Sequence, residues 1–236
     1  MIIKAVNISK DFYDGKQKRR VLLSINTEFY PGELTILSGP SGSGKTTLLS
    51  ILGLVMSPSE GKVFLDDRDI TGLSDDQSAN IRLKYFGYVF QQPMLIEGLN
   101  LLENVLVALA VQGKRLSNKD YKKAEQILES LGLANSINLK PNQLSGGMKQ
   151  RASIARALIK DPTIILCDEP TSSLDAGNGQ IVMNILKKIA IEEGRIVIVV
   201  SHDARVLPYA DRLIKLENGE IVSDTKEHSK IQKGVA

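Results

Sequence analysis

Short unbroken apolar runs alternate along this chain with stretches whose apolar residues recur every three or four positions. Ile2–Ile8, Val21–Phe29, Leu34–Leu37, Gly61–Leu65, Phe86–Phe90, Thr163–Cys167 and Arg195–Val200 predict strands. Thr46–Met56, Asn104–Gln112, Asp120–Leu131, Gly147–Ile159 and Gly179–Glu193 predict helices. In Asp120–Leu131 the residues Ala124, Ile127, Leu128 and Leu131 keep helical spacing. Two late strands, Arg212–Glu217 and Glu220–Val222, flank Asn218-Gly219, a strong hairpin signal. The continuous runs in Thr163–Cys167 and Arg195–Val200 suit strands buried on both faces of a parallel sheet. Residues 91–160 read as mainly helical, while both flanks alternate strand and helix. The expected fold is α/β: a mostly parallel sheet with a helical subdomain inserted at about 91–160. One domain is expected over 1–225, followed by a polar, frayed tail at 226–236.

Composition narrows the function classes. The chain has 236 residues, enough for one large domain or two small ones and for a sizeable core. Hydrophobic residues make up 42% and charged residues 24%, ordinary for a soluble globular protein. A net charge of +3 is too small for a dedicated nucleic-acid binder, so no nucleic-acid partner is expected. A single cysteine, Cys167, excludes an internal disulfide framework or a cysteine-built zinc cluster and fits a reducing compartment. Within an apolar strand it reads as a small buried hydrophobe. The first residues show no signal-peptide pattern, and the Val105–Val111 run falls well short of the ~20 apolar residues that span a bilayer.

Gly39-Pro40-Ser41-Gly42-Ser43-Gly44-Lys45-Thr46, followed by Thr47, fits G-x-x-x-x-G-K-[ST] between a strand and a helix. The glycines let successive backbone N–H groups turn toward phosphate oxygens, and the following helix aims its positive end at the same anion. Lys45 supplies a point charge for the β and γ phosphates, and Thr46 a hydroxyl for Mg²⁺. The strand Thr163–Cys167 runs into Asp168-Glu169, at the carboxyl end where ligands bind in such sheets. Asp168 can hold Mg²⁺ there, and Glu169 can orient or deprotonate a water. Helix capping is the plainer reading of such a pair. Leu144-Ser145-Gly146-Gly147-Met148-Lys149-Gln150 opens a further helix. It reads either as a Ser cap with flexible glycines or as a second anion site about a hundred residues from the first.

Taken together, LSGG and the apolar strand ending Asp168-Glu169-Pro170 resemble the nucleotide-binding subunit of ABC transporters, over about Ile2–Ser223. Other motifs of that family stand in order. Gln91 matches the Q-loop glutamine, Ser173-Leu174-Asp175 the D-loop, and His202 in Ser201-His202-Asp203 the H-loop histidine. Phe12 matches the aromatic that stacks on adenine, with Tyr13 as the alternative. The resemblance implies a P-loop core, an N-terminal antiparallel β subdomain, and ATP and Mg²⁺ as ligands. Thr46, Gln91 and Asp168 would serve the metal, and Glu169, His202, Gln91 and Lys45 the hydrolysis. It also implies head-to-tail pairing, with Leu144, Ser145, Gly146, Gly147, Met148 and Gln150 facing ATP bound by the partner. The chain departs from the pattern at Met148, where the family usually has Gln.

Several stretches, GPSGSGKTTLLSILG and SHDARVLPYADRLIKLENG among them, are similar to the MacB/LolD group. That similarity implies a homodimer, or a heterodimer with a related ATPase, attached to a separate permease on the cytoplasmic face of the cell membrane. The permease is expected to dock near 92–105, where Pro93, Met94, Leu95, Ile96 and Leu99 offer adaptable apolar contacts. The alternative for these residues is packing inside the helical subdomain. A small-molecule kinase and an ATPase that acts mechanically on a membrane partner without transport stand as the competing functions.

Overall fold

The computed structural model describes residues 1–226 apart from 16, 112 and 114. The apolar runs become two sheets. In chain order the elements are β1 (Ile3–Asp14), β2 (Gln17–Phe29), β3 (Glu33–Ser38), α1 (Lys45–Leu52), β4 (Glu60–Leu65), β5 (Arg68–Asp69), α2 (Asp75–Tyr85) and β6 (Phe86–Val89). There follow α3 (Leu101–Ala110), α4 (Asn118–Ser130), α5 (Gly146–Leu158), β7 (Ile164–Asp168), α6 (Ala176–Ile191), β8 (Ile196–Val200), β9 (Arg212–Glu217) and β10 (Glu220–Thr225). One sheet is antiparallel, in the order β2-β1-β4-β5. The other, β10-β9-β3-β8-β7-β6, is parallel except for the closing β9–β10 hairpin.

The continuous apolar strands are buried on both faces. Along β8, Ile196, Ile198 and Val200 enter a core shared with α1 and the antiparallel sheet, while Val197 and Val199 enter one shared with α3, α5 and α6. The same alternation divides Ile164 and Leu166 from Ile165 and Cys167 on β7. Cys167 is fully buried, as its strand context predicts, and burial pushes its thiol pKa far up. The parallel strands β3, β8 and β7 end side by side, which carries the loops beyond their carboxyl ends to one edge of the sheet.

Element boundaries differ from expectation in physically traceable ways. The first hairpin runs on through polar residues to Asp14 and from Gln17, because ladder pairing Asp11↔Arg20 to Asp14↔Gln17 continues past the apolar stretch. Helix α1 ends at Leu52, four residues before its expected end. At Gly53 an added Cβ would meet the Tyr88 hydroxyl, and Leu54 turns to φ 58. Helix α2 lacks an amphipathic stripe, since Ile81 is its one buried residue. It is started by a capping box in which Ser74 and Gln77 bond each other's backbone N–H at 3.3 and 3.1 Å. The expected tail lies outside the described residues beyond Lys226, as does the expected helix end at Gln112. Among the described residues no helix is long and apolar enough to cross a membrane.

Candidate functional site

The loop between β3 and α1 is shaped by glycines at two close approaches. Gly39 has φ 142, and a Cβ there would strike the Leu216 carbonyl on β9. Gly44 has φ 100 and caps α1; its Cβ would stand 2.6 Å from Leu22 Cδ2 and 3.0 Å from the Val21 carbonyl. Side chains are therefore excluded where β2 and β9 press the loop into its curl. Lys45 is buried, and its ammonium donates to the carbonyls of Gly39 (3.0 Å) and Pro40 (2.8 Å). Burial pulls its pKa below the usual lysine value, while Glu169 and Asp168 push the other way.

Strand β7 delivers two carboxylates with different surroundings. The Thr46 hydroxyl donates to Asp168 Oδ1 at 3.0 Å. Burial raises the pKa of Asp168, and this hydrogen bond works against the rise. A carboxylate and a hydroxyl oxygen meeting at the mouth of a phosphate loop are a hard donor set, which fits Mg²⁺. Among the described residues no three His, Cys, Asp or Glu cluster as a metal cage. Glu169 stands in left-handed backbone, φ 50, pinned by its N–H donating to Val200 O at 2.9 Å. Its Oε1 lies 2.6 Å from His202 Nδ1, and its Oε2 is buried with no partner among the described residues. An orphaned buried carboxylate oxygen at a cleft is the kind of exception that marks function.

These groups meet in one cleft of about 1070 Å³ lined by residues 39–42 and 44–47 of the loop, with Gln91, Glu169, Ser201, His202 and Phe12. The hairpin register sends the two aromatics to opposite faces. Phe12 pairs with Arg19 and faces the cleft; Tyr13, one residue on, points to the other face and is 70% exposed. Arg19, Val21, Lys215 and Glu217 also line the cleft. They are residues that motif reading does not single out; Arg19 is found only through the cross-strand register that sets it opposite Phe12.

The LSGG segment and the D-loop lie outside this cleft and meet each other instead. Ser145 caps α5, accepting from Met148 N at 3.3 Å, and Asp175 caps α6, accepting from Asn178 N at 2.9 Å. The Leu174 side chain stands 3.6 Å from where a Gly146 Cβ would be. Ser145 and Gly146 are exposed. Leu144 is buried, and Gln150 is 1% exposed, donating to Phe90 O at 3.1 Å, so those two side chains face inward. Met148 packs half-buried against the helical core. Ser173 lies in the turn before α6. Gly147 is packed against Asn178 so closely that a Cβ would overlap its side-chain amide. Gly147→Ala is therefore expected to cost about 1–3 kcal/mol by overpacking, read from urea denaturation.

The family model described as ABC transporter matches residues 22–172. The macrolide export ATP-binding/permease protein MacB of Campylobacter fetus is 42% identical over 230 residues, covering 98% of this chain and 36% of that protein. The chain thus spans about a third of the MacB relatives it matches. An uncharacterized ABC transporter ATP-binding protein of Methanocaldococcus jannaschii, MJ1508, is 42% identical over 223 residues, covering 94% of this chain and 98% of that one. Among solved structures, the ATP-binding cassette MJ0796, a dimer in a post-hydrolysis state bound to ADP and Pi, superposes with a TM-score of 0.87. It is 40% identical over 95% of this chain and 98% of the other.

Proposed function

The chain belongs to the ABC transporter family, and from that premise we propose that it is the ATP-hydrolysing part of a MacB/LolD-type exporter, acting on a membrane permease. One observation carries the reading. A single cleft gathers the phosphate loop, Glu169, Gln91 and His202, with Asp168 hydrogen-bonded to Thr46 of that loop, while the exposed start of the LSGG helix lies elsewhere on the same chain. Each chain then holds two halves of different sites, and two chains paired head to tail complete both. Release of inorganic phosphate from ATP without any acceptor, dependent on protein concentration as a dimer requires, tests this and separates it from a kinase.

The residues divide the work. Loop N–H groups and Lys45 hold the phosphates, and Phe12 carries the base. Thr46 and Asp168 would hold Mg²⁺, with Gln91 at its edge; the ion supplies neutralisation of phosphate charge. Glu169 accepts a proton as water oxygen bonds to the γ-phosphorus and the bond to the ADP oxygen breaks. His202, bonded to Oε1, fixes the carboxylate so that Oε2 is left for that proton.

The substrate of the exporter is proposed to be lipophilic, a lipoprotein, a peptide, a drug or heme-like, and the permease to dock near 92–105, chiefly on the loop that precedes α3. That loop is held from beneath. Arg156 donates to the carbonyls of Pro93 (2.6 Å) and Met94 (2.7 Å), and Asn104 brackets Ile96 through both its N–H and its carbonyl. Phe90, Met94 and Ile96 are presented outward, whereas Leu95 packs on the helical core. Ile96→Asp or Met94→Asp is expected to stop co-purification of the membrane partner with ATP binding unchanged. Normal co-purification of both variants would reject the docking site.

A further inference from the structure

The β1–β2 hairpin carries three consecutive cations, Lys18, Arg19 and Arg20, and strand alternation divides them. Lys18 and Arg20 turn to the buried Asp11. Arg20 reaches its two oxygens at 2.7 and 3.0 Å, and Lys18 lies 2.9 Å away. These cations hold the Asp11 carboxyl well below the usual carboxylate range. Arg19 points the other way, into the cleft, directly across the ladder from Phe12. Among the described residues it has no ion pair and no side-chain hydrogen bond. The three acids lining the same cleft are already engaged: Glu169 by His202, Asp203 by Arg205 and Glu217 by Lys215.

An aromatic ring and an unengaged guanidinium plane thus stand side by side, with Cβ atoms about 5 Å apart as for any directly opposed antiparallel pair. Lys10 backs the ring, its Nζ 5.5 Å from the centroid and anchored on the Ser57 carbonyl at 2.7 Å. Val21, which stands at the register shift two residues beyond Arg19 and also lines the cleft, abuts Gly44 of the phosphate loop through its carbonyl. Phe12 and Arg19 therefore sit one residue pair outward from the phosphate end. Guanidinium planes stack on bases as aromatic rings do, and such stacking is indifferent to base identity.

We propose that Arg19 is a nucleotide-binding residue: with Phe12 it forms a two-part platform on which the base of the bound nucleotide lies. This rests on the ATP-binding reading of the cleft. The test compares wild type, Arg19→Ala and Arg19→Lys by calorimetric titration with MgATP, MgADP, MgGTP and tripolyphosphate. Arg19→Ala is expected to weaken ATP, ADP and GTP alike by about fivefold. Tripolyphosphate, which has no base, should be unaffected, and Lys should recover only part of the loss because it has no plane to stack. A change under twofold for ATP overturns the platform. So does an equal loss for tripolyphosphate, which would make Arg19 a phosphate contact, or a loss confined to one base. A wild-type chain that bound no nucleotide would remove the underlying reading, and this one with it. Wild-type binding with an unmoved Arg19→Ala removes this inference alone. Arg19 is exposed, so the variants should fold, and an unchanged melting temperature checks that they do.

Discussion

Glu169→Gln is expected to bind ATP within a few-fold of wild type and to hydrolyse it about 10²–10⁴ times more slowly, the usual loss when a positioned base is removed. The substitution is close to isosteric. It leaves the φ 50 backbone and its bond to Val200 in place. It also keeps an atom able to meet His202 Nδ1, now at 2.6 Å from Oε1. What disappears is an oxygen able to take a proton: Oε2, buried and unpartnered. Removing one of the two carboxylates near Lys45 lowers negative charge beside the phosphates, so binding should not suffer. With hydrolysis stalled, ATP should hold two chains together. Size-exclusion chromatography with MgATP should then show a dimer that wild type forms only transiently. Phosphate release near the wild-type rate would remove Glu169 from the reaction.

The features that support this expectation were readable in the sequence because each is local. A phosphate loop is set by spacing over eight residues, and a strand ending in Asp168-Glu169 needs only the apolar run before it. Features that depend on packing were less legible. Helix α2 buries Ile81 alone, so periodicity is silent; the S-x-x-Q capping box at Ser74 was the signal to read. Phe12 and Tyr13 are equivalent as letters and become distinct once the register puts Phe12 opposite Arg19. Leu144 and Gln150 belong to a motif expected to face a partner's nucleotide, yet Leu144, just before the helix, and Gln150, within it, are both buried, and Gln150 ties α5 to Phe90 at the head of the Gln91 loop. That bond links the LSGG helix to the segment proposed for permease docking, a connection that no spacing along the chain announces.

Lys45→Ala is expected to weaken ATP binding by about 30- to 1000-fold, the effect of removing a buried cation that meets a charged partner. In the structure the ammonium is desolvated and satisfied by two loop carbonyls, with no carboxylate in ion-pair contact among the described residues. A cation held this way is costly to bury, and phosphate oxygens offer it stronger partners than carbonyl dipoles do. The loop itself does not depend on the lysine: the Gly39 and Gly44 backbone conformations and their contacts with β9 and β2 set its curl. The variant should therefore melt close to wild type without nucleotide and lose the upward shift that saturating ATP gives the wild-type chain. The pair of melts separates the two roles a buried lysine can have. A large drop in the nucleotide-free melting temperature would make Lys45 structural, and a preserved ATP-dependent shift would take it out of the phosphate site. The predicted pattern, no drop and no shift, is the one that a charge kept for the ligand alone must give.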